Sequence, residues 1–193
     1  MLRQALGCGG DRNPPLGGRR RRRWHPGRGR VSDRLRGQAG GFLGWPDSAG
    51  QGASRCAGWR AAVVDRGVVD EQDADELVAT CPDRVADAMH AAAELFERHP
   101  DIDGLVCASD SLAFGALLAA GPGVSVIGFD DTPVARAVGL SSVDQRIDLV
   151  AQAVLELLVQ DGQVTTRGAT TRIITPELRV RRAVIQDPSM RVA

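Results

Sequence analysis

Apolar and polar positions change over along the chain in blocks that read as strand, helix, strand. The clearest block runs from Asp103 to Asp131. Two short apolar runs, Gly104–Ala108 and Val124–Phe129, flank a stretch of small residues with helical spacing. Continuous apolar runs this short suit strands of a parallel sheet buried on both faces. Each run stops abruptly, in Ser109-Asp110-Ser111 after the first and Asp130-Asp131 after the second. Open α/β sheets bind ligands at the carboxyl ends of their strands, so these polar termini predict a ligand crevice.

The same reading extends in both directions. Gly41-Phe42-Leu43-Gly44 predicts a short strand, followed by a loop from Trp45 to Gly52. A helix is expected over Ala53–Arg66, with Ala57, Trp59 or Arg60, Val63 and Val64 as its apolar stripe and Gly67 closing it. Glu76–Thr80 suits a strand. Pro82-Asp83 opens a helix from Arg84 to Arg98, apolar at Val85, Ala88, Met89, Ala92, Leu95 and Phe96, and Pro100 prevents its continuation. Then come a strand at Leu105–Ala108, a helix at Ser111–Ala120, and strands at Val124–Gly128 and Leu140–Val143. Ile147–Val159 is a strongly apolar helix ended by Asp161-Gly162, and Thr170–Thr175 and Leu178–Arg182 read as two β segments around Pro176. Strands alternating with helices of this length mean a mostly parallel α/β sheet.

Charge divides the chain where the periodicity begins. Residues 1–40 hold eleven arginines against Asp11 and Asp33, a net of +9, and residues 41–193 balance them with a net of −9. The first 39 residues have no apolar period, many Gly and Pro, and five consecutive arginines from Arg19 to Arg23. Such composition predicts a disordered arm. A nucleic-acid arm is the alternative, since Arg23, Trp24 and His25 could pair phosphates and stack bases. The chain has no Lys and no Tyr, which suggests GC-rich coding DNA, so a frameshifted or misannotated start is the more economical expectation. The expected organisation is a segment 1–39, a domain 40–185 and a tail 186–193. A length of 193 residues allows one domain with an appendage.

Several function classes find little support. No run of about 18 apolar residues exists to span a membrane, and no apolar stretch precedes Cys8 as a secretion signal would require. Cys8, Cys56, Cys81 and Cys107 lack C-x-x-C spacing, and Cys56 and Cys107 sit on apolar faces, so buried free thiols are expected rather than disulfides or metal ligands. No nucleophile, base and orienter are arranged together, and Gly50-Gln51-Gly52 is too short for a dinucleotide fingerprint. The expectation is a cytoplasmic protein that is not an enzyme and uses no cofactor or metal.

Five motifs occur in a familiar order. They are Gly41-Phe-Leu-Gly-Trp-Pro46, Arg55-Cys-Ala-Gly-Trp59, Leu105-Val-Cys-Ala-Ser-Asp-Ser-Leu-Ala-Phe-Gly115, Val126-Ile-Gly-Phe-Asp-Asp131 and Leu140-Ser-Ser-Val-Asp-Gln145. Together with the tail Arg172–Arg182, they resemble the carboxyl-terminal half of the effector-binding core of LacI/GalR-type transcription repressors, a periplasmic-binding-protein-like (type I) fold. The resemblance covers about residues 40–185. It implies an effector site for a small sugar or sugar-like molecule, formed by Arg55, Ser109, Asp130 and Gln145. Carboxylate and guanidinium groups match vicinal diols bidentately, and charge-assisted bonds are the strong ones.

Each site residue also has a plainer role open to it. Arg55 could be a solvated helix residue, Ser109 a helix cap and Gln145 a crossover residue. Asp110 reads as a helix cap and Asp131 as a turn former. Phe129 is expected in the core, Trp45 and Trp59 in packing roles, and His90 and His99 on solvated faces.

Departures from the family are equally specific. The family begins with a helix-turn-helix of about sixty residues that reads the major groove. Residues 1–39 do not resemble it, and the first βα units of the core have no counterpart. The expectation is therefore a truncated regulator that would reach DNA only through a helix-turn-helix absent from this chain, in a family that forms homodimers. Helix Ile147–Val159 would belong with the missing subdomain, leaving Ile147, Leu149, Val150, Val154, Leu157 and Leu158 without cover. With one wall of the pocket, sugar binding by the chain alone should be weak. A solute-binding protein of a sugar transporter is the alternative from another class.

Overall fold

The computed structural model describes residues 40–46, 50–159 and 172–181. The expected disordered arm 1–39 and tail 186–193 lie outside the described residues. The elements are β1 (Gly41–Gly44), α1 (Gln51–Asp65), α2 (Glu71–Ala74) with a 3-10 turn (Asp75–Leu77), β2 (Val78–Thr80) and α3 (Val85–Arg98). They continue with β3 (Gly104–Cys107), α4 (Asp110–Ala119), β4 (Ser125–Phe129), α5 (Pro133–Ala137), β5 (Ser141–Asp144), α6 (Ile147–Val159) and β6 (Glu177–Arg179). One sheet holds all six strands in the order β2-β1-β3-β4-β5-β6. It is parallel except at β6, which runs antiparallel to β5 with Val143 opposite Leu178.

The alternation of side chains across the pleat explains how this sheet is buried. Leu43, Leu105, Cys107 and Val126 face α3 and α4, whose inner stripes are Ala88, Ala92 and Leu95, and Leu112, Ala113 and Ala116. Small residues let the helices lie close to the strands. Gly128 shows this against α4, because a Cβ there would stand 2.2 Å from Asp110 Oδ1.

The opposite face is covered over only part of its width. Helix α1 buries Cys56, Trp59 and Val63 at helical spacing, with Trp59 tilted against Phe42 at 5.8 Å between ring centroids. Gly67 ends α1 as anticipated. At φ 63° it lets its own N–H reach Val64 O and the Val68 N–H reach Val63 O, the pattern of a Schellman cap. Beyond α1 an open trough of about 1130 Å³ runs over Val106, Ile127, Phe129 and Val143.

Some expectations need correcting. Only Val78–Thr80 of the expected strand Glu76–Thr80 pairs, because residues 71–77 coil as helix and 3-10 turn. Helix α5 was not anticipated, although Thr132 caps it at Ala135 N–H and Pro133 opens it. Residues 172–175 of the expected strand Thr170–Thr175 have no regular structure, and residues 170 and 171 lie outside the description. Asp110 does not cap α4; Ser109 does, accepting from Leu112 N–H. His99 is half-buried at the end of α3 rather than solvated, and its pKa is lowered by burial and then by Arg98, against Glu76. The apolar stripe of α6 is largely uncovered as expected, with Ile147 63% and Leu158 53% exposed, although Leu149 is half-buried.

Candidate functional site

The carboxyl ends of the strands converge on one cluster. Asp130 follows β4, Gln145 follows β5, Ala108 follows β3, and α1 brings Arg55 across from the far side of β1. Arg55 is well enclosed, its side chain 11% exposed against 33% for Asp130. Its Nη1 donates to Ala108 O at 2.5 Å, and its Nη2 reaches Asp130 Oδ1 at 3.5 Å and Gln51 Oε1 at 3.4 Å. Gln145 Nε2 donates to the same Asp130 Oδ1 at 2.5 Å. Both donors therefore hold one carboxylate oxygen, and Oδ2 meets no donor among the described residues.

Two aromatic rings support the cation. The Arg55 guanidinium lies 3.8 Å from the Phe129 ring centroid and 5.7 Å from that of Trp45. Phe129 is thus not a core residue, as its apolar run suggested, but a half-exposed platform for Arg55. Period-2 alternation from buried Val126 and Gly128 could have placed Phe129 on the opposite face. Gln51, one turn before Arg55, carried no sequence signal. Trp45 and Trp59 pack against the core as expected, each with a buried indole N–H that finds no acceptor among the described residues.

Ser109 stands apart from the cluster. It is buried, caps α4, and donates its hydroxyl to Asp83 Oδ1 at 2.7 Å. Of the four residues singled out from the sequence, the fold brings Arg55, Asp130 and Gln145 together and commits Ser109 to the start of α4.

Asp130 stands on an unusual piece of backbone. Asp130 and Asp131 have φ of 103° and 49°, the left-handed region where residues with a Cβ are uncommon and cost of order 1–3 kcal/mol each. Asp131 is more than a turn former. It is 4% exposed and paired with Arg136 and Arg181. The Arg181 hydrogen bond is the main reason its carboxyl lies below the usual range, helped by Arg136 and opposed by burial. Asp110, equally buried, accepts from Ser142 Oγ and Thr132 N–H.

Other chemistry is weakly supported. Burial, with Asp87 and Asp83 nearby, pushes the Cys81 thiol up to about 11. Burial drives Cys107 well up too. Thiols held protonated are poor nucleophiles. No cluster of metal-ligating side chains occurs among the described residues, and none of their helices is long and apolar enough to cross a membrane.

Known proteins share the sequence pattern and the fold of this chain. Residues 35–174 match the family model of periplasmic binding proteins and the sugar binding domain of the LacI family. The HTH-type transcriptional regulator CelR of Thermobifida fusca is 30% identical over 146 residues, covering 70% of this chain and 42% of its own length. The Escherichia coli transcriptional repressor ascG superposes with a TM-score of 0.62 at 26% identity, covering 80% of this chain and 59% of its own. A transcriptional regulator CelR–cellobiose complex shares the fold, with a TM-score of 0.59 at 23% identity over 80% of this chain and 50% of its own. The chain thus spans roughly two-fifths to three-fifths of the length of these relatives.

Proposed function

The chain belongs to the family of periplasmic binding proteins and LacI sugar-binding domains, and from that premise we propose that it is the effector-sensing part of a cytoplasmic transcriptional regulator. Its effector is a small sugar or sugar-like molecule. Arg55, Asp130 and Gln145 face the ligand, and Ser109 contributes from the rim by holding the start of α4.

One observation carries this reading. Asp130 Oδ1 is held by Arg55 and Gln145 while Oδ2 has no protein donor among the described residues. A carboxylate oriented through one oxygen presents the other to a hydroxyl. A guanidinium beside it supplies donors for a neighbouring oxygen, and such charge-assisted bonds are about twice as strong as neutral ones. Phe129 beneath Arg55 fixes the direction in which those donors point. Pre-organisation of this kind raises affinity by reducing the cost of ordering side chains on binding.

The relatives named above are transcriptional regulators, which favours a sensor of gene control over a solute-binding protein of a transporter. DNA contact is assigned to a helix-turn-helix, as the HTH-type name of the CelR relative indicates for that protein. Homodimer formation is part of the same reading, as is a role without catalysis.

Cellobiose is the probe of choice, since a protein of the same fold is described in complex with it. Titration into the full chain, followed by tryptophan fluorescence from Trp45 near Arg55, is expected to show saturable binding at about millimolar concentration. Asp130→Asn should weaken it about tenfold or more, given the loss of a charged acceptor. Undiminished binding by Asp130→Asn would remove Asp130 from the site.

A further inference from the structure

The corner that carries Asp130 is held by an unusual number of ties. Three successive backbone N–H groups each go to a different partner: Asp130 to Val143 O at 2.9 Å, Asp131 to Ser142 Oγ at 3.0 Å, and Thr132 to Asp110 Oδ2 at 2.7 Å. The Ser142 hydroxyl passes on to Asp110 Oδ1 at 2.6 Å. Beneath the corner, Arg181 Nη1 donates to Asp131 Oδ1 at 2.6 Å and to Leu140 O at 3.0 Å. Arg136 Nε takes Asp131 Oδ2 at 3.0 Å. The Arg181 backbone is fastened as well, its N–H to Ser141 Oγ at 2.9 Å and its carbonyl accepting from Ser141 Oγ at 3.0 Å.

Two consecutive left-handed residues that both carry side chains do not hold that conformation by themselves. They persist where their surroundings over-determine them. Here the largest electrostatic tie comes from Arg181, 50 positions away in sequence and two residues beyond β6. We infer that Asp131 and Arg181 are positioning residues for Asp130: their ion pair, with the Asp131 carboxylate buried and the Arg181 side chain half-buried, fixes the left-handed corner, and through it the direction in which Asp130 presents its carboxylate. The pair touches no ligand. Its effect travels through one peptide bond, from the carboxylate that Arg181 grips to the backbone that aims its neighbour. The effector role of Asp130 rests on the reading proposed above, whereas the positioning does not depend on it.

The test therefore uses no sugar. In the ¹⁵N-labelled full chain, the Gln145 side-chain NH₂ resonance reports its bond to Asp130 Oδ1, and amide exchange reports the ties at Asp130, Asp131 and Thr132. Arg181→Met is expected to move the Gln145 resonance toward its free position and to speed exchange at the three corner amides about tenfold or more, with the amides of Phe42 and Val106 unchanged. Arg181→Lys, which keeps the charge, should restore most of the protection. Should Arg181→Met not fold, Asp131→Asn removes the charge at nearly constant volume and is read in the same way. An unmoved Gln145 resonance, or exchange accelerated equally across β1, β3 and the corner, overturns the inference. Absence of cellobiose binding by the unaltered chain, with its corner amides protected, would instead count against the effector reading alone.

Discussion

Residue identity matters most where a side chain or its absence decides what can approach. Gly128 precedes the Phe129–Asp130 pair, and the Asp110 carboxylate occupies the space where its Cβ would be. Gly128→Ala forces that carboxylate away from Thr132 N–H and Ser142 Oγ, so a loss of about 2 kcal/mol is expected, as for overpacked interiors. The midpoint of chemical denaturation measures it. Asp130 was legible as the polar end of an apolar run. Arg55 and Gln145 joined it through the family resemblance and not through local pattern, because Arg55 lies 75 positions away in sequence. Ser109 and Asp110 show the limit of local reading. Adjacent polar residues at a strand end both suit a cap, and only the neighbouring loops decide that Ser109 caps while Asp110 braces the corner.

Among the elements, β6 depends most on charge. It is three residues long and antiparallel at the sheet edge. Arg179 pairs with Asp144 and Glu177, Arg146 with Glu177, and Arg181 with Asp131. The Asp131 carboxyl is lowered chiefly by its Arg181 bond, and the Asp144 carboxyl chiefly by the Arg146 backbone N–H, then by Arg179. A carboxyl whose folded pKa is depressed contributes stability above its unfolded pKa and loses it as pH falls through the folded value. Seating of β6 is therefore expected to be constant above about pH 4, the usual aspartate value, and to weaken below it. Exchange at Arg181 N–H, corrected for its intrinsic pH dependence, should increase there before the amides of β3 respond. Protection unchanged on acidification would show that packing holds the strand. Exposed pairs such as Arg172 with Glu156 add little, since solvent screens them.

At the scale of the molecule, two apolar surfaces remain open among the described residues. Parallel sheets are usually covered on both faces, yet α1 shields only part of one face. Helix α6 turns Ala153 inward and leaves Val154, Leu155 and Leu158 exposed. An apolar patch of this kind favours association. Self-association of the full chain is expected to rise with concentration in light scattering. Replacing Leu155 and Leu158 together by Glu should reduce it while leaving the thermal midpoint nearly unchanged, because neither side chain is buried. A fall of many degrees would mean that the α6 stripe packs within the monomer.

The sequence by itself determined the alternation of strands and helices, the strand ends that bear polar groups and the closure of α1 at Gly67. These follow from periodicity and local chain chemistry, which act over a few residues. Only the tertiary structure decided that Phe129 supports Arg55 instead of filling the core, and that Gln145 and Arg55 share one oxygen of Asp130. It also decided that Arg181 reaches back to Asp131. Each is a contact between separate segments, set by strand order and register, and none of these pairings is recorded in the pattern of one segment.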